Sequence, residues 1–303
     1  MKTTITIFAI LAYSFTVFSQ NYIDLLKVNA STTPFNTFDG NNSKSKLNEV
    51  LVDLTLPIKI NEKFSILSGV IYENIETKLF AESNIKKFGS TTLKLGFNKQ
   101  LNENLTLTAV LLPKIASDYH SIGGEDFQLG AIALFRIKKH ENKNFKVGLY
   151  ANSDLFGPFF VPMFGMYYLS PTKKFETTIL LPLQADANFK ISAFLNIGAN
   201  FNGQIRSYHL TDITPSNKST YVGRSTNELF GYLKFNLTKT ISIQTKIGQS
   251  FGRTYEVFDK NDKITFGMPL LRIGDDRKPL NTNFSDGLIF QAVLLYRLSL
   301  EGK

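Results

Sequence analysis

The stretch from Leu195 to Leu210 (LNIGANFNGQIRSYHL) separates into two faces when its residues are taken alternately. One face carries amides, glycine and arginine, and the other carries apolar side chains at Leu195, Ile197, Ala199, Phe201 and Ile205. A period of two is the geometry of a β-strand, in which successive side chains point to opposite sides. The stretch is also longer than the usual globular strand of about five or six residues. It therefore predicts one strand in the wall of a transmembrane β-barrel, with its apolar face toward lipid.

The rest of the chain repeats this alternation, with short polar turns between some segments and longer loops between others. Long loops are predicted at Thr32 to Lys46, Thr77 to Lys87, Ser117 to Glu125, Thr211 to Ser225 and Phe258 to Asn283. Tight periplasmic turns and long extracellular loops alternate in this way in bacterial barrels. The pattern predicts an all-β, up-and-down antiparallel barrel of about fourteen strands. Twelve strands is the alternative if the short segments around Pro182 merge into their neighbours.

The first twenty residues have the order of a secretory signal peptide: Lys2, an apolar run from Ile5 to Val17, and a small residue at Ser19. The run is shorter than the roughly 18 residues that a membrane-spanning helix needs. We therefore expect residues 1–19 to be a cleaved signal peptide and residues 20–303 to be one barrel domain. The chain has no cysteine, which excludes a disulfide scaffold and a lipid-anchored cysteine. A soluble exported β-sandwich is the alternative fold.

The formal net charge of +9 is spread along the chain without a basic tract, which argues against nucleic-acid binding. In the predicted register most of the strand cations point into the barrel. The predicted lumen-facing basic residues are Lys59, Lys94, Arg136, Lys138, Lys146, Arg206, Lys234, Lys246 and Arg297. An open interior of this kind would favour anions. The alternative is that these side chains form ion pairs that brace a filled interior.

One segment breaks the alternation. Gly157 to Leu169 (GPFFVPMFGMYYL) is apolar on both faces and contains Pro158 and Pro162. Thirteen residues with two prolines do not make a membrane-spanning helix. We interpret the segment as a strand that is covered on its inward side by other protein, or that lies at an irregular part of the barrel.

This segment begins the part of the chain that resembles a known family. From Phe145 the sequence runs FKVGLYANSDLFGPFFVPMFGMYYLSPTKKFETTILLPLQADANFKIS, and a glycine-containing strand then ends in RSYHL at Leu210. A Gly-Pro/aromatic strand, a Leu-Pro hairpin and a Tyr-containing strand follow one another in this order. This order resembles an uncharacterised family of Gram-negative outer-membrane β-barrel proteins, known only as a domain of unknown function. The resemblance implies a barrel in the outer membrane and implies no catalytic residue or substrate.

Sites for catalysis or metal binding are weakly indicated. His120 beside Ser121 is the first candidate for a Ser/His pair at the membrane rim, but neighbours in an extended segment point in opposite directions. His209 is interpreted as a polar residue at a strand rim. The sequence DKND at Asp259 to Asp262 lacks the glycine and distal glutamate of a calcium loop. Gly123 and Gly124 are interpreted as a turn, and Asp275, Asp276 and Arg277 as a solvated loop patch.

The function predicted from these features is a passive channel or narrow transporter for small solutes, with an anion preference and no enzymatic activity or cofactor. Expected partners are outer-membrane lipid and lipopolysaccharide, the barrel-assembly machinery and a small solute. One alternative is a closed structural or adhesion barrel that binds a partner through its outer loops, chiefly Phe258 to Asn283. Another is a rim lipase or deacylase that uses His120.

Overall fold

The computed structural model describes residues 22–40, 42–211 and 219–299. The predicted signal peptide lies outside these residues, as does most of the outer part of the predicted loop from Thr211 to Ser225. Among the described residues no helix is long and apolar enough to cross a membrane.

The chain forms long strands connected in sequence order. They are β1 (Tyr22–Thr37), β2 (Lys44–Lys59), β3 (Phe64–Thr77), β4 (Lys86–Gln100), β5 (Leu105–Ser117), β6 (Phe127–His140), β7 (Lys143–Asp154), β8 (Gly157–Leu169), β9 (Phe175–Leu181), β10 (Gln184–Lys190), β11 (Leu195–Leu210), β12 (Thr220–Asn236), β13 (Ile241–Asp259), β14 (Phe266–Met268), β15 (Leu271–Ile273) and β16 (Leu288–Ser299). A short 3-10 helix, η1 (Gly124–Asp126), precedes β6.

Fourteen of these strands close into one antiparallel barrel. Strands β1 to β13 each pair with their neighbours in sequence, and β16 lies between β13 and β1, so the ring has no free end. Strands β14 and β15 form a small hairpin inside the long loop that joins β13 to β16. The fourteen-strand prediction is confirmed. The twelve-strand alternative is wrong, because β9 and β10 each pair with neighbours on both sides.

The two faces of the wall have the polarity of a membrane barrel. Leu95, Leu129, Leu229 and Ile247 point outward and are about half exposed, whereas polar side chains on the opposite face are buried in the interior. A soluble β-sandwich has the reverse arrangement, because its apolar faces pack against each other. A closed ring with an apolar outer band satisfies its backbone hydrogen bonds internally, as a lipid environment requires. The chain is therefore an outer-membrane β-barrel, with its short turns assigned to the periplasmic end.

Two predicted loops are shorter than expected, because polar residues continue the strands. The predicted loop from Thr32 to Lys46 is mostly strand: β1 runs to Thr37, and the Asn36 amide donates to the Ser45 carbonyl, which holds β1 against β2. Likewise β12 begins at Thr220, within the predicted loop from Thr211 to Ser225. Hydrophobic alternation does not detect such strand ends, since neither of their faces carries apolar residues at every second position.

The hairpin of β9 and β10 is much shorter than its neighbours. Each strand has seven residues, and the pair contacts β8 only from Phe164 to Leu169 and β11 only from Asn196 to Asn202. The outer parts of β8 and β11 therefore have no strand between them. The outer end of β11 instead turns into the barrel and meets β5, where His209 bridges to Ser117.

Pro158 and Pro162 are suited to this irregular part of the wall. The N–H of Leu169 donates to Asn142 before β7, so odd-numbered residues of β8 bond toward β7 and even-numbered residues toward β9. Beyond the end of β9, two of the even-numbered positions are the prolines, which have no N–H to leave unpaired. On the inward side Phe159, Val161 and Met163 are buried against the outer loops, as the sequence predicts.

Candidate functional site

A cavity of about 440 Å³ occupies the periplasmic half of the barrel. We call it the solute cavity. Its charged lining consists of the basic residues Lys27, Lys146, Lys234, Lys246 and Arg297 and the acidic residues Asp24, Glu176 and Asp186. Amide side chains of β11, including Asn200 and Asn202, complete the wall. The cavity is thus polar, with more cationic than anionic groups.

Some of these charges are neutralised locally. The Nε atom of Arg297 lies 2.5 Å from Oδ1 of Asp24, and its guanidinium stacks over the Tyr22 ring at 4.0 Å. Tyr22 in turn donates to Glu176 across 3.2 Å, which links β1 to β9. This cluster lies at the periplasmic end of the cavity.

The lysines are less completely paired. Lys246 donates to Asn200 at 3.2 Å and lies over the rings of Phe230 and Tyr232. Lys146 and Lys234 form no ion pair with any described residue. Ammonium groups that lack a carboxylate partner in a partly enclosed cavity attract mobile anions.

Gly198 on the inner face of β11 makes room for this lining. A Cβ atom built on Gly198 would lie 2.3 Å from Cζ of Tyr232, so any larger residue would displace that ring. Tyr232 donates to Asp186 at 3.1 Å and closes one side of the cavity.

The remaining predicted lumen-facing basic residues lie outside this cavity. Lys94 pairs with Asp53 and donates to Thr55, and Arg136 donates to Thr106 at 3.0 Å. Lys59 and Lys138 are half-buried near the periplasmic ends of β2 and β6. Arg206 belongs to a separate network in the outer half of the barrel.

Lys27 lines the cavity but is absent from the sequence prediction. The register of β1 shifts between Asp24 and Leu26, where a bulge changes which residues point inward. A strict period of two therefore assigns Lys27 to the wrong face. The weak alternation of β1 is the only signal of this in the sequence.

The outer half of the barrel is filled by an ion-pair network around Glu73. Its carboxylate accepts from Arg206 at 2.6 Å, from Arg224 at 3.0 Å and from the Tyr208 hydroxyl at 2.7 Å. Arg224 also donates to Glu49 at 2.6 Å. We call these five residues the outer network. It joins β2 and β3 on one side of the barrel to β11 and β12 on the other.

Apolar side chains pack beside the outer network. Phe38, Phe88, Tyr255 and Phe284 are buried in one cluster within the barrel mouth. The Phe88 and Tyr208 rings lie 5.2 Å apart, and those of Tyr255 and Phe284 5.3 Å apart. Among the described residues, the outer half of the barrel is thus packed like a protein core, whereas the periplasmic half holds a polar cavity.

The histidine candidate of the sequence analysis is not the one that gains partners. Among the described residues, His120 makes one hydrogen bond, from its backbone N–H to Asp118. His209, predicted to be a polar residue at a rim, is instead buried, with Nδ1 2.7 Å from Asp126 and Nε2 2.7 Å from the Ser219 hydroxyl. Sequence reasoning missed this cluster because its members come from three separate segments.

The geometry around Ser219 resembles a catalytic triad in distances but not in hydrogen bonding. The single hydroxyl hydrogen of Ser219 points to Glu125, at 2.9 Å, and is not offered to His209. A serine nucleophile must give that proton to the histidine. Lys260 donates to Glu125 at 2.9 Å and holds the pKa of that carboxyl below its usual value. The cluster therefore joins η1, β11 and the loop after β13.

The remaining motifs that the sequence offers in loops form ordinary turns in the described residues. Gly123 donates its N–H to Asp126 at 2.6 Å in the turn before β6. Asp259 accepts from the Asn261 N–H, as in an ordinary turn, and no group of three or more metal-ligating side chains occurs in the described ranges.

The prediction of a solvated patch at Asp275, Asp276 and Arg277 is wrong for Arg277. Its side chain is only 5% exposed and stacks over Phe258 at 4.4 Å. A guanidinium can be buried in this way because aromatic faces attract cations. Arg277 therefore fastens the longest loop to the barrel.

Comparison with solved structures finds barrels of low sequence identity. An outer membrane channel of the COG4313 group from Pseudomonas putida F1 is 10% identical, covers 90% of this chain and 93% of its own, and has a TM-score of 0.46. The NanC porin is 9% identical, with coverages of 90% and 100% and a TM-score of 0.37. The toluene transporter TodX of Pseudomonas putida is 9% identical, with coverages of 91% and 89% and a TM-score of 0.36.

No curated protein sequence matches this chain. A family model does match, described as a domain of unknown function, DUF6268, and the match extends over residues 16–274. It includes the segment from Phe145 to Leu210 on which the resemblance in the sequence rests. This chain therefore belongs to the DUF6268 family.

Proposed function

We propose that this barrel is a passive outer-membrane channel for small anionic solutes. The observation that supports this most directly is the solute cavity, with five basic and three acidic side chains in its lining. Arg297 is neutralised by Asp24, but Lys146 and Lys234 have no carboxylate partner among the described residues. A ring of such charges selects ions by sign in a pore.

The cavity also suggests the size of the solute. Its volume of about 440 Å³ is at the lower end of the usual range for small-molecule sites, about 300 to 1,000 Å³. The outer network crosses the path above it, so a solute passes only when those side chains move apart. We infer a narrow channel with low conductance. A passive channel of this kind requires no catalytic step from any residue.

The membrane partners follow from the outer face. Its apolar band is in contact with outer-membrane lipid, and the outer loops face lipopolysaccharide. The proposal includes insertion by the barrel-assembly machinery, as for other barrels of this membrane.

Ion selectivity in planar bilayers tests the proposal. In a KCl gradient, we expect the reversal potential of the wild-type channel to have the sign of the chloride equilibrium potential. The double variant Lys146→Gln, Lys234→Gln removes two unpaired charges, and its reversal potential should shift toward the potassium equilibrium potential. The matched control is Lys99→Gln, Lys139→Gln, which removes two exposed lysines near the periplasmic end. An equal shift in the control, or cation selectivity of the wild type, would contradict the proposal.

A closed barrel that binds a partner through its loops is the second candidate. The packed outer half of the barrel is the specific observation that favours it. This candidate predicts no conductance in the wild type. It also predicts no conductance in an Arg224→Ala variant, in which the outer network is opened.

A further inference from the structure

A second cavity, of about 550 Å³, lies between β8 and β11, beyond the turn of the β9–β10 hairpin. We call it the lateral pocket. Its floor is the turn at Leu181 to Leu183, and its roof is the segment from Met268 to Leu271 at the β14–β15 hairpin. Within the described residues, the β14–β15 hairpin meets the wall here through a single bridge between Gly267 and Phe159 of β8.

The lining of the lateral pocket comes from both faces of the barrel wall. Tyr150, Phe159 and Val161 point into the barrel from β7 and β8. Phe201 and Ile205 belong to the outward face of β11. This mixture arises because the outer end of β11 turns inward, so that its outward face looks onto the inner face of β8. The pocket therefore reaches from the outer surface of the barrel into the wall.

The mouth of the pocket faces the membrane. Phe164 and Leu181 border it and are 63% and 49% exposed on the outer surface. Apolar outward residues continue beyond this level on both sides, at Leu129 on β6 and at Phe251 on β13. The opening is thus surrounded by the apolar band, where the neighbouring medium is hydrocarbon.

The lining side chains of the pocket are mainly apolar, and its polar residues, Gln204, Ser225 and Asn227, are a minority. A cavity with such a lining suits an apolar ligand.

We propose that the lateral pocket binds a small apolar molecule, which enters from the membrane. The molecule is free and is not the acyl chain of a bilayer lipid. A chain attached to an outer-leaflet headgroup would have to pass beneath the roof at Met268 to Leu271, whereas a free molecule can approach from the side.

The absence of tryptophan from the chain allows a direct test. Tyr150→Trp places one fluorophore in the pocket, and bromine quenches it on contact. Phe135→Trp on the lipid-facing side of β6 reports the quencher concentration in the membrane, and Tyr232→Trp in the solute cavity is the matched inward control. All variants are reconstituted in bilayers after a check that each migrates as a folded barrel.

We expect 6-bromo-1-hexanol to quench Tyr150→Trp at least as strongly as Phe135→Trp, and to leave Tyr232→Trp nearly unquenched. Adding Ser225→Phe, which fills the pocket from β12, should abolish the quenching of Tyr150→Trp.

Three results would overturn the proposal. Equal quenching of Tyr150→Trp and Tyr232→Trp would show that the probe does not prefer the pocket. Strong quenching of Tyr150→Trp by brominated phospholipid alone would show that a bilayer chain is the occupant. No effect of Ser225→Phe would show that the probe reaches Tyr150→Trp by a route other than the pocket. None of these measurements requires ion conduction, so they are independent of the test of the channel.

Discussion

At the scale of single residues, Glu73 determines whether the outer half of the barrel can be packed. Its side chain is 3% exposed, and its carboxylate forms ion pairs with two arginines, Arg206 and Arg224. Buried cations are tolerated only when they are paired. Alternation predicts that Arg206 faces the lumen but gives no sign of Glu73, because a single glutamate on a strand carries no local signal of a partner more than a hundred residues away.

Replacing Glu73 should therefore be costly. We expect Glu73→Ala to lower the free energy of unfolding by about 3 to 5 kcal/mol, because two arginines lose a buried partner. Urea unfolding of the barrel in lipid vesicles measures this. Glu76→Ala, on the same strand, is the control, since its salt bridge to Lys87 is exposed and contributes no more than about 1 kcal/mol. Equal effects of the two substitutions would show that the outer network does not stabilise the barrel.

At the scale of elements, the short β9–β10 hairpin gives β11 two different environments. The Gly203 N–H donates to Leu183, so odd-numbered amides of β11 point toward β10. The amides of Ile197 and Ala199 therefore lie opposite residues of β10. At the level of Ile205, β10 has ended, and no residue of β10 lies opposite that amide. The two prolines of β8 indicated an irregular segment in the sequence. The inward turn of β11 was not predictable, because it depends on pairing with β5, far away in the chain.

Hydrogen exchange should distinguish the two parts of β11. We expect the amides of Ile205 and Ser207 to exchange at least about tenfold faster than those of Ile197 and Ala199, because no strand accepts their hydrogen bonds. Residue-resolved NMR in micelles measures both pairs in the same sample. Uniform protection along β11 would mean that the wall is continuous and that the lateral pocket is closed.

At the scale of the whole molecule, alternation in the sequence predicted a closed ring of fourteen strands, and the ring is confirmed. A period of two fixes which face of a strand meets lipid, and summed over many strands it fixes the fold class. It does not fix the contents of the barrel. Whether two inward side chains touch depends on the shear of the ring and on where strands bend, and neither is encoded locally. Only the structure shows that the barrel has a packed outer half and a polar periplasmic half.

The central claim, that the barrel is open to water in its periplasmic half and packed in its outer half, is tested most directly by cysteine accessibility. The chain has no cysteine, so each variant carries one reactive thiol. Asn98→Cys lies in the solute cavity, and Thr226→Cys replaces an inward residue of the outer half that is 1% exposed. We expect a water-soluble anionic methanethiosulfonate to label Asn98→Cys rapidly and to leave Thr226→Cys unlabelled in the folded barrel. Equal labelling of the two, or none of either, would contradict this account.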